Sequence, residues 1–150
     1  MSRVDALGWV LRTQIYRTLA ETGAAPGKAQ LSEMLDVEIT EVGRLLKQLE
    51  DAKVLALLGE SGEVWMAHPL SAVPTPLVVT AGGREYFANC AWDAIALPMV
   101  LGADGETNLV CGSTGEALRI HVRDGTLEPV DAVIRFPVPA RRFWDDIGYT

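Results

Sequence analysis

"KAQLSEMLDVEITEVGRLLKQLEDAKVLALLGESGEVWMA", residues 28–67, decides how the first half of the chain folds. Its opening, "KAQLSEMLDV", reads as a short helix, "EIT" as a tight turn and "TEVGRLLKQLEDAKV" as a longer helix. In that longer helix Val42, Leu45, Leu46 and Leu49 fall at i, i+3, i+4 and i+7, which gathers them on one apolar face. "VLALL" and "EVWMA" follow as two strands, joined by the turn Gly59-Glu60-Ser61-Gly62 into a hairpin. Upstream, Leu7, Leu11, Ile15 and Leu19 recur every four residues, and Gly23 supplies a helix stop. Three helices followed by a hairpin predict a winged helix-turn-helix-like lobe.

Charge weighs on what that lobe can do. A helix-turn-helix reads DNA by laying its second helix in the major groove and clamping phosphates with Lys and Arg. The helix here offers Arg44, Lys47 and Lys53, offset by Glu41, Glu50 and Asp51, and the whole chain carries a net charge of -7. Neither half is basic: residues 1–80 hold seven Lys/Arg against ten Asp/Glu, and residues 81–150 hold six against ten. The balance argues against nucleic acid as a partner. At 150 residues the chain is long enough to bury a packed core, about 68–70% of its extended surface. With two cysteines, no basic-plus-apolar leader at Met1 and no apolar run near 18 residues, the sequence predicts a cytoplasmic protein with no membrane partner. That setting favours reduced thiols over a disulfide between Cys90 and Cys111.

Pro69, Pro74 and Pro76 crowd "HPLSAVPTP", which predicts a connection between two lobes, residues 1–76 and 77–150. Beyond it "LVVT" reads as a strand, Ala81-Gly82-Gly83 as a turn, and "REYFANCAWDAIALPMVLG" as an apolar helical stretch broken by Pro98 and ended by Gly102. "TNLVC", "ALRIHV" and "AVIRF" read as further strands, separated by Gly112 to Gly115 and by Arg123-Asp124-Gly125. The second lobe is thus expected to be a helix on a small antiparallel sheet, and the fold class α+β.

The chemistry candidates lie in residues 86–115. Cys90 and Asp93 stand three apart, which on a helix gives them a common face. If the helix starts near Tyr86 or Phe87, the positive end of its macrodipole favours a Cys90 thiolate that is nucleophilic or metal-avid. Spacing alone equally describes a small buried cysteine beside a helix-start acid, the commoner case for a free thiol. Both readings stand at this point. Trp92, between them, is a candidate pocket wall; Trp9, Trp65 and Trp144 are spread along the chain and read as core or interface. Cys111 ends a strand before "GSTG", where it either faces a site or packs under the turn. His68 and His121 form no metal-ligand spacing with a cysteine or with each other, and no Gly-x-Ser-x-Gly elbow occurs.

"YFANCAWDAIALPMVLG" followed by "VCGSTGEALRI" resembles the organomercurial (alkylmercury) lyase family. The family carries an aromatic lead-in, a Cys-Ala-x-Asp core, an apolar helix with a proline, and a Cys-x-x-Thr-Gly turn leading into a strand. Cys90-Ala91-Trp92-Asp93 matches the core, and Cys111 with Thr114-Gly115 matches the turn. The resemblance implies a winged-helix-like lobe before a mixed lobe, and protonolysis of carbon-mercury bonds to a hydrocarbon and Hg(II). It makes Cys90 the mercury ligand, with Asp93 as proton carrier and a further contact to the metal, and Cys111 structural. The implied partners are a small organomercurial and cellular thiols, with no resident cofactor; oligomeric state is left open.

One departure accompanies it. The family's second mercury-binding cysteine follows a segment like "RFPVPARRFWDDIGYT" and would fall, by spacing, at or just beyond Thr150. Three readings are open: a fragment cut short of that thiol, a member with altered function, or replacement by Cys111 or an external thiol. The rival function is a winged-helix regulator, or a protein of the same fold that binds a thiophilic metal without catalysis.

Overall fold

The computed structural model describes residues 4–149, and the chain divides into two units, residues 1–73 and 74–150. Both combine helices with antiparallel strands, so the class is α+β.

In the first unit, α1 spans Ala6–Thr22, α2 Lys28–Leu35 and α3 Ile39–Asp51. Asp5 caps α1 by accepting the Gly8 N–H at 2.8 Å, and Gly23, at φ 78°, closes it by donating to the Leu19 carbonyl at 2.8 Å. Leu11, Ile15 and Leu19 of α1, Leu31 of α2, and Val42, Leu45, Leu46 and Leu49 of α3 are fully buried, the expected stripes forming one core. Each such side chain contributes about 1.5–3 kcal/mol through burial. The strands are shorter than their apolar runs: β1 is Ala56–Leu57 and β2 Val64–Ala67, with Ala56 opposite Met66. Lys53 adopts φ 60° and Val54 donates to the Leu49 carbonyl, so the chain is still closing α3 where "VLALL" begins. The proline-rich segment is more than a connection. Its Leu70–Ser71 forms β3, which pairs with β2 (Ala67 opposite Leu70) across the tight His68-Pro69 turn.

In the second unit, strands β4 (Val78–Ala81), β5 (Arg84–Ala88), β6 (Gly105–Val110), β7 (Ala117–Arg123) and β8 (Thr126–Leu127) pair antiparallel in the order β5-β4-β6-β7-β8. Helix α4, Ala91–Leu101, joins β5 to β6 and packs on the sheet. Its Ala94 and Leu97 meet a core that includes Val79, Tyr86, Ala88, Ile120 and Val122.

Three expectations are corrected here. Residues 84–88 are a strand and not the start of the helix: Gly82 and Gly83, at φ 56° and 78°, make a two-residue turn that folds β5 back on β4, Val79 opposite Tyr86. Pro98 does not break α4. Its ring sits against Gly105 of β6, where a Cβ would come within 2.7 Å of Pro98 Cγ, and the helix runs on to Gly102. "AVIRF" is not a strand; pairing ends with β8, and Val133 is 93% exposed. Pro129, Pro137 and Pro139 bracket that segment and withhold ladder donors, and a 3₁₀ helix follows over Ala140–Asp145.

Candidate active site at the start of α4

The site is built where β5 stops and α4 begins. Ala88 ends the strand with its N–H on the Leu77 carbonyl at 2.9 Å and its own carbonyl held by Thr75 Oγ1 at 2.8 Å. Two residues later Cys90, extended at φ −148° and ψ 174°, is the N-cap of α4. Its carbonyl accepts the first helical N–H, from Ala94, at 2.9 Å. Its Sγ accepts the N–H of Asp93 at 3.4 Å, the place a Ser, Thr, Asp or Asn oxygen usually fills.

Asp93 lies in the first turn and is only 9% exposed, so a carboxylate is held largely out of water beside a half-buried thiol. Burial is the main influence on Cys90 and raises the thiol above its ordinary pKa. The charge of Asp93 and a side-chain hydrogen bond from thiol to carboxylate work in the same direction, against the N–H groups of Asp93 and Trp92. The helix start does favour the thiolate, but burial outweighs it and holds the thiol above its ordinary value.

Asn89 also joins this site. Its Nδ2 donates to Asp93 Oδ2 at 3.3 Å. An amide four residues ahead of an acid at a helix start was the available signal. Trp92 is 61% exposed and flanks the pair without roofing it, and Trp9 is likewise largely exposed on α1.

Cys111 lies outside this cluster of contacts, one residue past β6 in the turn before β7, and both cysteines are free thiols. Its N–H donates to the Glu116 carbonyl and its carbonyl accepts from Gly115, both at 2.8 Å, which ties the turn together. The Thr114 hydroxyl, followed by the N–H groups of Thr114 and Ser113, holds its thiol below the ordinary value. The ordering of the two thiols is thus opposite to that expected from the helix dipole alone. His121 pairs across strands with Glu106, Nδ1 to Oε2 3.4 Å. Among the described residues no three His, Cys, Asp or Glu side chains gather as a metal site. The expected place of a second thiol, at or beyond Thr150, is outside the described residues.

With a thiol capping α4 and a buried acid against it, the match to known proteins is informative. The family profile "MerB: Alkylmercury lyase" matches residues 70–150, just over half of the chain. The chain belongs to the alkylmercury lyase family. Alkylmercury lyases of Bacillus cereus and Clostridium butyricum are each 30% identical to it over 131 residues, covering 83% of this chain. That of Staphylococcus epidermidis is 28% identical over 137 residues. A solved structure described as the mercury-bound form of MerB2 superposes with a TM-score of 0.66 at 26% identity over 85% of this chain. The match spans 58% of the length of the Bacillus lyase and 61% of the MerB2 chain.

Proposed function

We propose that this member of the alkylmercury lyase family cleaves carbon-mercury bonds by protonolysis, with Cys90 as mercury ligand and Asp93 as proton carrier. The observation that carries the reading is the Cys90 thiol capping α4, its Sγ on the Asp93 N–H at 3.4 Å, beside an acid that is itself buried. An organomercurial R–HgX exchanges X for the Cys90 sulfur, a soft ligand suited to mercury, and the thiol proton passes to the Asp93 carboxylate as X leaves. A second thiolate, supplied by a cellular thiol, adds to the metal and loads electron density onto the bound carbon. The carbon-mercury bond then breaks with its electron pair on carbon, which takes the proton from Asp93 and leaves as R–H. Mercury remains as Hg(II) held by two sulfurs. No resident cofactor enters these steps.

We further read residues 1–76 as a winged helix-turn-helix-like scaffold and residues 77–150 as the lobe bearing the chemistry. Three helices followed by the β1–β2 hairpin support the first part. Cys111 belongs to the turn before β7 and has a structural role, supported by its two backbone hydrogen bonds there. No described helix is long and apolar enough to cross a membrane, and a reducing cytoplasm keeps both thiols free.

The test is incubation with phenylmercury and excess small thiol. Release of benzene is expected, and its loss in Cys90→Ser ties it to the α4 thiol. Mercury bound at Cys90 with no benzene from the wild type would replace catalysis by simple metal binding.

A further inference from the structure

We propose that the Trp92 indole is the platform against which the organic group of the mercurial rests, so that the α4 site takes aryl mercurials in preference to methylmercury. The inference rests on the role proposed above for Cys90 as mercury ligand.

The cap leaves the sulfur open on one side. Cys90 Sγ accepts the Asp93 N–H at 3.4 Å, and the Trp92 N–H also bears on it, so the flank toward α4 is taken by backbone donors. Mercury bonded to this sulfur therefore sits on the side away from the first turn. Mercury(II) holding one sulfur and one carbon is two-coordinate and linear, which places the organic group two bonds beyond the sulfur, clear of the cap. A side chain that meets it there must be long.

Trp92 is the second residue of α4, and a helical side chain leans from its Cα toward the N-terminus, the end that Cys90 caps. In a later turn the indole would lie on the preceding turn of its own helix. In the first turn none is beneath it, and the ring stays 61% exposed at the end of the helix that bears the thiol.

The surface continuing from the indole is apolar throughout. Ile95, Ala96, Met99 and Val100 follow Trp92 at i+3, i+4, i+7 and i+8 on the outward stripe of α4, the first two half-buried and the last two exposed. Asp93 is the one charged side chain of the helix, and it is buried. Such a stripe suits a hydrocarbon group, which has no hydrogen bond to make and gains by covering apolar area. A phenyl ring can also stack on the indole or meet it edge to face, an attraction beyond area that a methyl group does not share. Trp92 thus separates mercurials by the size and aromaticity of the organic group and leaves the metal–sulfur bond alone.

The experiment mixes the full chain with phenylmercury and methylmercury together, both carried by excess small monothiol. The protein-bound share of each is read by intact-mass spectrometry within seconds. In each capture a Cys90 S–Hg bond forms as the small thiol's S–Hg bond breaks, and the Cys90 proton leaves on the small thiol. Cys90→Ser gives the share held by Cys111, which is subtracted. Trp92→Ala is expected to lower the phenyl-to-methyl ratio by about 2- to 10-fold, the worth of one aromatic pair. Trp92→Phe is expected to keep most of the ratio, and both variants to capture Hg(II) as the wild type does. Trp92→Gln carries the same test if the alanine variant does not fold. An unchanged ratio in the variant without the ring overturns the proposal, and a change of oligomeric state beside it would give this face to a second copy. An equal fall for phenylmercury, methylmercury and Hg(II) also overturns it, since the indole would then support the cap and not the organic group. If Cys90→Ser captures as much as wild type, the ligand role of Cys90 falls and this inference with it. If the wild type captures mercurials at Cys90 but releases no benzene, the lyase reading alone fails, and the ratio still decides the role of Trp92.

Discussion

The backbone N–H of Asp93 donates to the Sγ of Cys90 at 3.4 Å, while the negative charge of the same aspartate disfavours the thiolate. One residue thus addresses the thiol twice and in opposite senses: its amide favours the thiolate, its carboxylate the thiol. Burial is the larger influence and also disfavours the thiolate, so the Cys90 thiol is raised above its ordinary value.

This geometry orders the two thiols. Cys90 is raised by burial and by Asp93, whereas Cys111 is lowered by the Thr114 hydroxyl and the neighbouring N–H groups. The thiolate is the reactive form, so at a given pH the lowered group reacts faster. At neutral pH, iodoacetamide is expected to label Cys111 before Cys90, and Cys90 labelling is expected to accelerate as pH rises further. Asp93→Asn removes the charge opposing the Cys90 thiolate and should speed its labelling. Peptide mass spectrometry across a pH series checks the order; labelling of Cys90 first would contradict it.

Removing the proton carrier should separate binding from chemistry. In Asp93→Asn the sulfur remains and the shape is kept, so Hg(II) binding at Cys90 should persist. Hydrocarbon release should fall by about 10²- to 10⁴-fold, the usual worth of a positioned acid. Titration with Hg(II) beside a benzene assay measures both. Equal turnover in the variant would assign the proton to another group.

How far the sequence could be read depended on which interactions were local. The stripes of α1 and α3 were legible because a period near 3.6 places Leu11, Ile15 and Leu19, or Val42, Leu45, Leu46 and Leu49, on one face whatever else the chain does. Residues 84–88 read as helix by sequence because their apolar content is ambiguous; what makes them a strand is the pairing of Tyr86 with Val79, for which Gly82-Gly83 is the cue. "AVIRF" shows the converse, since an apolar run becomes a strand only where a neighbour takes its hydrogen bonds, and Val133 has none of that burial. Cys90 and Asp93 could be paired by spacing, but the direction of the Cys90 shift could not, because burial is a property of the packed unit. Asn89 was missed for a similar reason: its link to Asp93 exists only because the chain turns from strand to helix at Cys90.

The junction of α4 with β6 offers a stability test. A Cβ at Gly105 would lie 2.6 Å from the Thr80 carbonyl oxygen and 2.7 Å from Pro98 Cγ, and neither a strand carbonyl nor a proline ring in a helix yields readily. Gly105→Ala should therefore destabilise the protein by about 1–3 kcal/mol, the range for forced overpacking. A lowered midpoint in urea with an unchanged slope would be the signature. Because the displaced element carries the Cys90 cap, benzene release should fall with it. A variant as stable as wild type would mean that the helix shifts away without cost.

The last prediction concerns nucleic acid. In α3, Arg44 is held by Asp5 at 3.0 Å and also by Glu41, and Lys47 reaches Glu50 at 3.0 Å and Asp51 at 2.6 Å. These pairs are exposed and each contributes little to stability, about 0–1 kcal/mol. Their effect on a phosphate backbone is larger, because each cation offered to DNA comes with a carboxylate within a Debye length of about 8 Å, and the chain as a whole carries -7. Affinity for duplex DNA depends on cations that displace counterions, and even competent non-specific binders reach only about 10⁻⁴ to 10⁻⁶ M at physiological salt. A short duplex should therefore show no shift with micromolar protein at about 0.15 M salt. The double variant Glu41→Gln with Asp51→Asn should bind more tightly than wild type at low salt, since it removes one of the two carboxylates paired with each cation. A sub-micromolar shift by the wild type at physiological salt would overturn the charge argument and return the first unit to the DNA-reading class.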